Sequence, residues 1–416
     1  MKTINTINSI LYIALTVLYF YQFIYIVIAL IGDKKKKLDT YEAKKLHKFA
    51  FIIAARNEQA VIGNLINSIK QQNYPAELID VIVVADNCTD DTAQIAREHG
   101  AICYERFNNM LVGKGYALDY CFNKIVEQFG DYTAYDGYFI FDADNVIDKN
   151  YVKEMNKVFD RGYNVITSYR NSKNYDTNWI TSGYSLWFIR EAKYLNNPRM
   201  MLKTSCAVSG TGFLVNSSII KKNNGWKFNL LTEDIQFSVV NILEGEKIGY
   251  CESAVTYDEE PVTWRASLVQ RRRWMSGIMQ VSRLTLPKLF RNFLRRPSLN
   301  RRDGMLQLAF PFLQALTPFF TLAAFLAGSI SLQSLPVSLL SAYAGSLAVA
   351  AAALVLEKRL DFRLTGGILL YPVFMACFLP LQTLALFKTQ TVWHEIRHSG
   401  VRLASSEFQL RRKKIA

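Results

Sequence analysis

A chain of 416 residues, 50% hydrophobic and 20% charged, carries more apolar material than one soluble core needs, which excludes an ordinary water-soluble enzyme. Its formal charge of +14 does not point to nucleic acid, because much of it lies beside apolar segments, where anionic lipid headgroups attract cations. The six cysteines stand singly, with no Cys-x-x-Cys pair and no His/Cys cluster of zinc spacing, which argues against a disulfide or zinc scaffold and fits a reducing compartment.

Ile10 to Ile31 is an apolar run of roughly the 20 residues that cross the hydrocarbon core. It is longer than a signal-peptide h-region and no small-residue cleavage site precedes Lys34, so residues 1–33 read as a membrane anchor. Lys34 to Lys37 follow at once; the positive-inside rule then puts the amino terminus outside and the next domain in the cytoplasm.

After a basic linker (34–48), residues 49–262 alternate short apolar strands with amphipathic helices, the pattern of an α/β domain with a mainly parallel sheet. FAFIIAARNE (49–58) predicts a strand and turn, and a helix follows to Gln72. VIVVAD (81–86) predicts a second strand; Thr89 or Asp90 caps a helix running to about Glu98, with Gly100 as its stop. Further strands are expected at YFIFDAD (138–144) and Val165 to Tyr169, and helices around Asn178 to Lys193 and Asp234 to Glu244.

From Trp264 to Arg302 there are eleven basic residues and no acidic one, interleaved with Leu, Phe, Ile and Met. Residues 263–303 therefore predict amphipathic helices lying among lipid headgroups. Residues 304–390 hold three apolar segments, about 306–331, 335–356 and 365–387, with Glu357, Lys358, Arg359, Asp361 and Arg363 between the last two. Three crossings would place the tail at 391–416, with Arg402, Arg411, Arg412, Lys413 and Lys414, outside, against the positive-inside rule. Either the rule fails here or one segment is re-entrant or interfacial, with the prolines at 311, 318, 372 and 380 as breakers.

In open α/β sheets ligands bind beyond the carboxyl ends of the strands, and three predicted strands end in polar groups: Arg56, Asn57 and Glu58; Asp86 and Asn87; Asp142 and Asp144. Alternation along FDAD puts both carboxylates on one side with Ala143 opposite, two oxygen ligands suited to Mg2+ or Mn2+. A helix cap or turn explains a lone Asp-x-Asp equally well. In LLTEDIQF (230–237) Glu233 and Asp234 stand at a helix start, either as a general base for an attacking hydroxyl or as acids favoured by the helix dipole. QRRRW (270–274) offers guanidinium groups for diphosphate and an indole for a sugar face, or else more headgroup cations. Lys114 lies between glycines in GKGY (113–116), which is not a P-loop, and SGTGFLVN (209–216) brings small residues and hydroxyls able to line an acceptor site.

The ordered series Ala-Arg-Asn-Glu, Ala-Asp-Asn, Gly-Lys-Gly, Asp-Ala-Asp, Ser-Gly-Thr-Gly, Thr-Glu-Asp and Gln-Arg-Arg-Arg-Trp, over about residues 49–290, resembles the family 2 glycosyltransferases. Within them it is similar to the membrane-integrated branch of poly-N-acetylglucosamine, hyaluronan and cellulose synthases. The resemblance implies a glycosyltransferase-A, Rossmann-like nucleotide-binding domain with transmembrane and interfacial helices. It implies an inverting, metal-dependent hexosyltransferase using a UDP-sugar, GlcNAc or glucose. Carried over residue by residue, it implies donor binding by Ala54, Arg56, Glu58, Asp86 at the uracil, Lys114, Asp142 and Arg273. Asp144, with Asp142, would hold Mg2+ or Mn2+, Asp234 would be the base supported by Glu233, and Ser209, Gly210, Thr211, Gln270 and Trp274 would face the acceptor.

The implied partners are membrane lipids and a polysaccharide or lipid acceptor, with accessory export or synthase subunits admitted and no nucleic acid; the implied place is the cell membrane, multi-pass, with the catalytic domain cytoplasmic. The chain departs from the large synthases in having one anchor before the domain and no Phe-x-Val-Thr segment after Gln-x-x-Arg-Trp. A β-linked cell-surface polysaccharide is the first expected product, and one or a few sugars on a lipid the alternative. A nucleotidyltransferase would carry Gly-x-Gly-Thr-Arg where Arg-Asn-Glu stands, and a transporter would bring ionisable groups into its spans, which these lack.

Overall fold

The computed structural model describes residues 2–35, 41–328, 333, 335–357, 365–388 and 390. The basic tail, the loop residues Lys358, Arg359, Asp361 and Arg363, and Lys36 and Lys37 lie outside the described residues. Two compact units make up the rest: a sheet unit from residues 41–174 and 205–261, and a helical unit from 2–35, 175–204 and 262–390. Residues 175–204, which the sequence pattern leaves inside the α/β domain, thus pack with the apolar helices.

The chain begins in the helical unit with α1 (Lys2–Lys35). The sheet unit follows with β1 (Phe49–Ala55), α2 (Ile62–Lys70), β2 (Ile79–Asp86), α3 (Thr92–Glu98), β3 (Ile102–Arg106) and α4 (Lys114–Phe129). It continues through β4 (Gly137–Asp142), β5 (Val146–Ile147), α5 (Tyr151–Asp160) and β6 (Val165–Ser172). The helical excursion is α6 (Trp179–Glu191) and α7 (Asn197–Met201), after which β7 (Phe213–Asn216), α8 (Ser217–Lys222), α9 (Glu233–Glu244) and β8 (Ile248–Asp258) complete the sheet unit. Then come α10 (Trp264–Arg295), α11 (Leu299–Gln314), α12 (Thr317–Leu326), α13 (Leu335–Leu356), α14 (Thr365–Ala376) and α15 (Phe378–Phe387).

The strands form one mixed sheet in the order β3-β2-β1-β4-β7-β6-β8-β5. β3, β2, β1 and β4 run parallel, and β7 is antiparallel to both β4 and β6. A parallel strand covered on both faces must be apolar at successive positions, and Phe49 to Ile53 are all fully buried. α2 buries Ile62, Leu65, Ile66 and Ile69, the i, i+3, i+4, i+7 stripe of a helix laid on a sheet. Because Ala55 pairs with Ala85 and Ala54 with Asp142, the polar residues after β1, β2 and β4 leave the sheet side by side at one edge.

Among the described residues, the helical unit holds four stretches long and apolar enough to cross a membrane: Ile13–Gly32, Leu299–Leu326, Pro336–Val355 and Thr365–Phe387. The first and last of the three expected carboxyl-terminal segments are each broken, between α11 and α12 and between α14 and α15. The breaks come just before Pro318 and Pro380, whereas Pro311 and Pro372 sit inside helices. Pro318 has no N–H for the Gln314 carbonyl, and the Thr317 hydroxyl donates to that oxygen instead, at 2.8 Å. Residues 263–303 hold the 32-residue helix α10 and the first turn of α11. Met275, Met279, Ser282 and Leu289 lie on the buried side of α10, and Arg265, Arg283, Lys288, Arg291 and Arg295 are exposed.

Candidate active site

At the end of β2 the Asp86 carboxylate is buried and accepts from Arg106 Nη1 at 2.5 Å. Burial raises its pKa, and Arg106 and then Arg56 oppose the rise. Arg106 Nη2 also donates to the Leu111 carbonyl at 2.7 Å. Asn87, at φ 54°, donates from Nδ2 to Asp86 Oδ1, and its own Oδ1 accepts the Asn108 N–H at 2.8 Å. Asn tolerates this left-handed backbone better than most residues, and here it ties the β2 end to the loop after β3. After β1, Asn57 (φ 55°) accepts the Thr89 N–H at 2.9 Å, and the Glu58 N–H donates to the Thr92 hydroxyl at 2.8 Å. Ala54, Arg56, Glu58 and Asp86 therefore stand on adjoining strand ends. Arg106 was not singled out from the sequence, because a cation within Tyr104 to Phe107 carries no motif.

Lys114 joins the other acids. It opens α4, and its Nζ donates to Asp142 Oδ1 at 2.5 Å and to the Gly210 carbonyl at 2.7 Å, with Glu233 Oε1 at 3.8 Å. Gly113 before it has φ 141°, a conformation costly for any residue with a Cβ. A Cβ on Gly115 would fall 2.1 Å from the Phe228 carbonyl oxygen, so α4 lies tight against the segment leading to α9. Burial opposes the Lys114 charge, yet Asp142, Glu233 and Asp234 outweigh it and hold the pKa above the ordinary lysine value. Burial pushes the Glu233 carboxyl up to about 7, with Lys114 opposing and Asp234 and Asp142 adding to the rise. Glu233 and Asp234 are the first two residues of α9, and Asp234 Oδ2 accepts the Gly210 N–H at 2.7 Å.

The alternation expected to carry Asp142 and Asp144 to one side of an extended strand does not reach Asp144. The strand ends at Asp142, and Ala143 and Asp144 form a turn. Asp142 faces Lys114, whereas the buried Asp144 accepts the Glu259 N–H at 3.1 Å. The turn is held by Thr211, whose hydroxyl accepts the Asp142 N–H at 2.9 Å and donates to Asn145; this hydroxyl is engaged within the protein rather than presented to an acceptor. Asp258 and Glu260 approach Asp144, and burial raises both carboxyls. Asp258 pairs with Arg170, whose Nε donates to Oδ2 at 2.6 Å. Arg170, Asp258 and Glu260 also escaped the sequence reading, since no spacing links them.

Among the described residues no group of three or more His, Cys, Asp or Glu side chains is arranged to hold a metal ion. Asp142 is half-exposed and is the carboxylate of this turn open to a cation such as Mg2+, which takes one or two protein carboxylates and completes its shell with substrate phosphates and water, whereas Asp144 is buried against the Glu259 N–H.

Gln270, Arg273 and Trp274 belong to the helical unit, on α10. Gln270 Oε1 is buried with no hydrogen-bond partner, and the Trp274 ring meets Tyr184 edge-on at 5.8 Å. Arg271 of the same motif is structural: it is fully buried, donates to the Phe374 carbonyl at 2.7 Å, and lies 4.2 Å from the Phe374 ring centroid.

Probable glycosyltransferase YdaM of Bacillus subtilis (strain 168) is 26% identical over 270 residues, 60% of this chain and 59% of that protein. Beta-monoglucosyldiacylglycerol synthase of Synechocystis sp. is 25% identical over 232 residues, 54% of this chain and 47% of that protein. The 4,4'-diaponeurosporenoate glycosyltransferase of Staphylococcus aureus (strain N315) is 46% identical over 74 residues, 18% of this chain and 19% of that protein. The match thus spans about half the length of the first two relatives and less of the third. Among solved structures, mannosyltransferase PcManGT from Pyrobaculum calidifontis in complex with GDP-Man and Mn2+ superposes with a TM-score of 0.55 at 18% identity. That likeness covers 89% of this chain and 97% of that one, and shows the glycosyltransferase-A fold. Residues 47–277 match the model of the glycosyltransferase-like family 2, and the chain, more than half of it covered, belongs to that family.

Proposed function

We propose that the chain is a membrane-anchored, inverting glycosyltransferase that moves a hexose, GlcNAc or glucose, from a UDP-sugar to a lipid acceptor at the cytoplasmic face. The observation that carries this reading is the convergence of Lys114 on Asp142, Gly210 and Glu233, beside the base candidate Asp234. Asp86 and Arg56 would meet the nucleotide base, and Lys114 would meet phosphate charge. Asp142 would hold a divalent cation, which when bound offsets charge developing on the leaving diphosphate. Asp234 takes the proton of the acceptor hydroxyl as that oxygen bonds to the anomeric carbon and the bond to diphosphate breaks. One such displacement turns an α-linked donor into a β-linked product.

Two relatives named for lipid-like acceptors, the diacylglycerol and diaponeurosporenoate enzymes, favour a lipid over the polysaccharide that the resemblance to the synthases puts first. The polymer stays as the second reading on the strength of Gln270 to Trp274. The test is the full-length protein in detergent with a panel of UDP-sugars, Mn2+ or Mg2+, and diacylglycerol or an isoprenoid acid, reading UDP release, product size and anomeric configuration. One organic-soluble, β-linked glycolipid is expected; a size ladder would favour the polymer, and no turnover with any UDP-sugar would sink both. Asp234→Asn should lower turnover by about 10²- to 10⁴-fold, and unchanged turnover would remove Asp234 as the base.

A further inference from the structure

We infer that Arg170 is a positioning residue for Asp234, acting through the single peptide that joins Ser209 to Gly210; this rests on the reading of Asp234 as the base. Arg170 Nη1 donates to the Ser209 carbonyl at 3.1 Å, and the N–H of the same peptide, on Gly210, donates to Asp234 Oδ2 at 2.7 Å. In a trans peptide the C=O and N–H point opposite ways. The guanidinium therefore stands on one side of the peptide plane's long axis and the carboxylate on the other. Hydrogen bonds in series polarise one another, so the cation at the oxygen strengthens the donor that fixes Asp234.

The guanidinium is itself held. Its side chain is 14% exposed, and Nε donates to Asp258 Oδ2 at 2.6 Å. Burial disfavours its charge, but Asp258, Glu260 and Asp142 more than compensate. The Asp258 backbone is tied in turn, because its carbonyl accepts the Lys173 N–H at 2.7 Å. Gly210 has φ 72°, and a Cβ there would sit 3.7 Å from Arg170 Nη1 and 3.9 Å from Asp234 Oδ2. The peptide thus bonds to both groups, and the Gly210 carbonyl is separately anchored by Lys114. Asp234 accordingly has one oxygen fixed by a peptide whose own orientation a buried ion pair sets.

The test is made with full-length Arg170→Met and Arg170→Lys in detergent, measuring UDP release from the active UDP-sugar, UDP affinity by calorimetry, and the melting temperature. Misaiming a catalytic group by about 1 Å costs on the order of 100-fold in rate, and Arg170→Met should show a fall of that order with UDP affinity changed less than about threefold. Arg170→Lys, which keeps the positive charge but not the planar fork that joins Asp258 to Ser209, should recover only part of the loss, on the order of threefold. An Arg170→Met rate within about threefold of the native enzyme would overturn the inference. So would a loss matched by an equal loss of UDP affinity, with Arg170→Lys no better, since that is the signature of mere structural damage. Asp234→Asn assayed in parallel separates the two readings: if it stays fully active the base assignment fails, whereas an inactive Asp234→Asn beside an active Arg170→Met overturns only the relay.

Discussion

Glu233 shows how a residue's neighbours give it a role that its type does not announce. Buried between Lys114, Asp142 and Asp234, its carboxyl titrates at about 7, against about 4.3 in an unfolded chain. The folded state therefore holds this proton more tightly than the unfolded state does. The resulting stability is fully present below about pH 4.3 and is lost as pH rises to about 7. Glu233→Gln removes that slope: its unfolding free energy relative to the native protein should rise by on the order of 2 kcal/mol between pH 5 and 7.5. Melting curves of both proteins across that range check it, and a difference that stays flat refutes it. Asp86, Asp142, Glu233 and Asp234 were legible because each ends a strand or opens a helix, whereas Asp144 lies in a turn. Their cationic partners Arg106 and Arg170 were not, since a lone arginine in a strand looks the same whether it faces solvent or a buried carboxylate.

At the scale of elements, α4 has one way to bring Lys114 to the acids, and Gly115 permits it. Adding a methyl at 115 meets the Phe228 carbonyl at 2.1 Å, and because the obstacle is backbone rather than a flexible side chain, the helix or the loop before α9 must shift. Gly115→Ala should destabilise the protein by about 1–3 kcal/mol and weaken UDP binding through Lys114. A lowered melting temperature together with weaker UDP affinity is the expected pair of results; native values for both would show that the contact relaxes freely. The strands expected within 49–58 and at 81–86 and the helix expected at 234–244 follow from apolar runs and boundary residues, and the structure has them as β1, β2 and α9. The turn at Ala143 and Asp144 replaces the expected strand because the Thr211 hydroxyl, from elsewhere in the chain, clamps it by hydrogen bonds to the Asp142 N–H and to Asn145. Similarly, prolines alone did not locate the breaks in the apolar segments, since Pro311 and Pro372 are accommodated within helices.

For the whole molecule, four stretches able to cross a membrane predict that the protein stays in the membrane pellet through alkaline carbonate and high-salt washes and is released only by detergent. Release by salt alone would mean that the exposed cations of α10 hold it to lipid rather than the apolar helices. The apolar helices, the α/β character and the acids that end β2 and β4 were legible in sequence alone, because each depends on residues within about 20 positions of one another, where hydropathy and period act directly. Tertiary structure decided which groups meet. Lys114 reaches Asp142 across 28 positions and Gly210 across 96, and Arg170 reaches Asp258 across 88. The Gly210 contact follows from β7 entering antiparallel between β4 and β6 and the Asp258 contact from β8 running parallel beside β6, choices made by the packing of the whole sheet and written in no single stretch of chain.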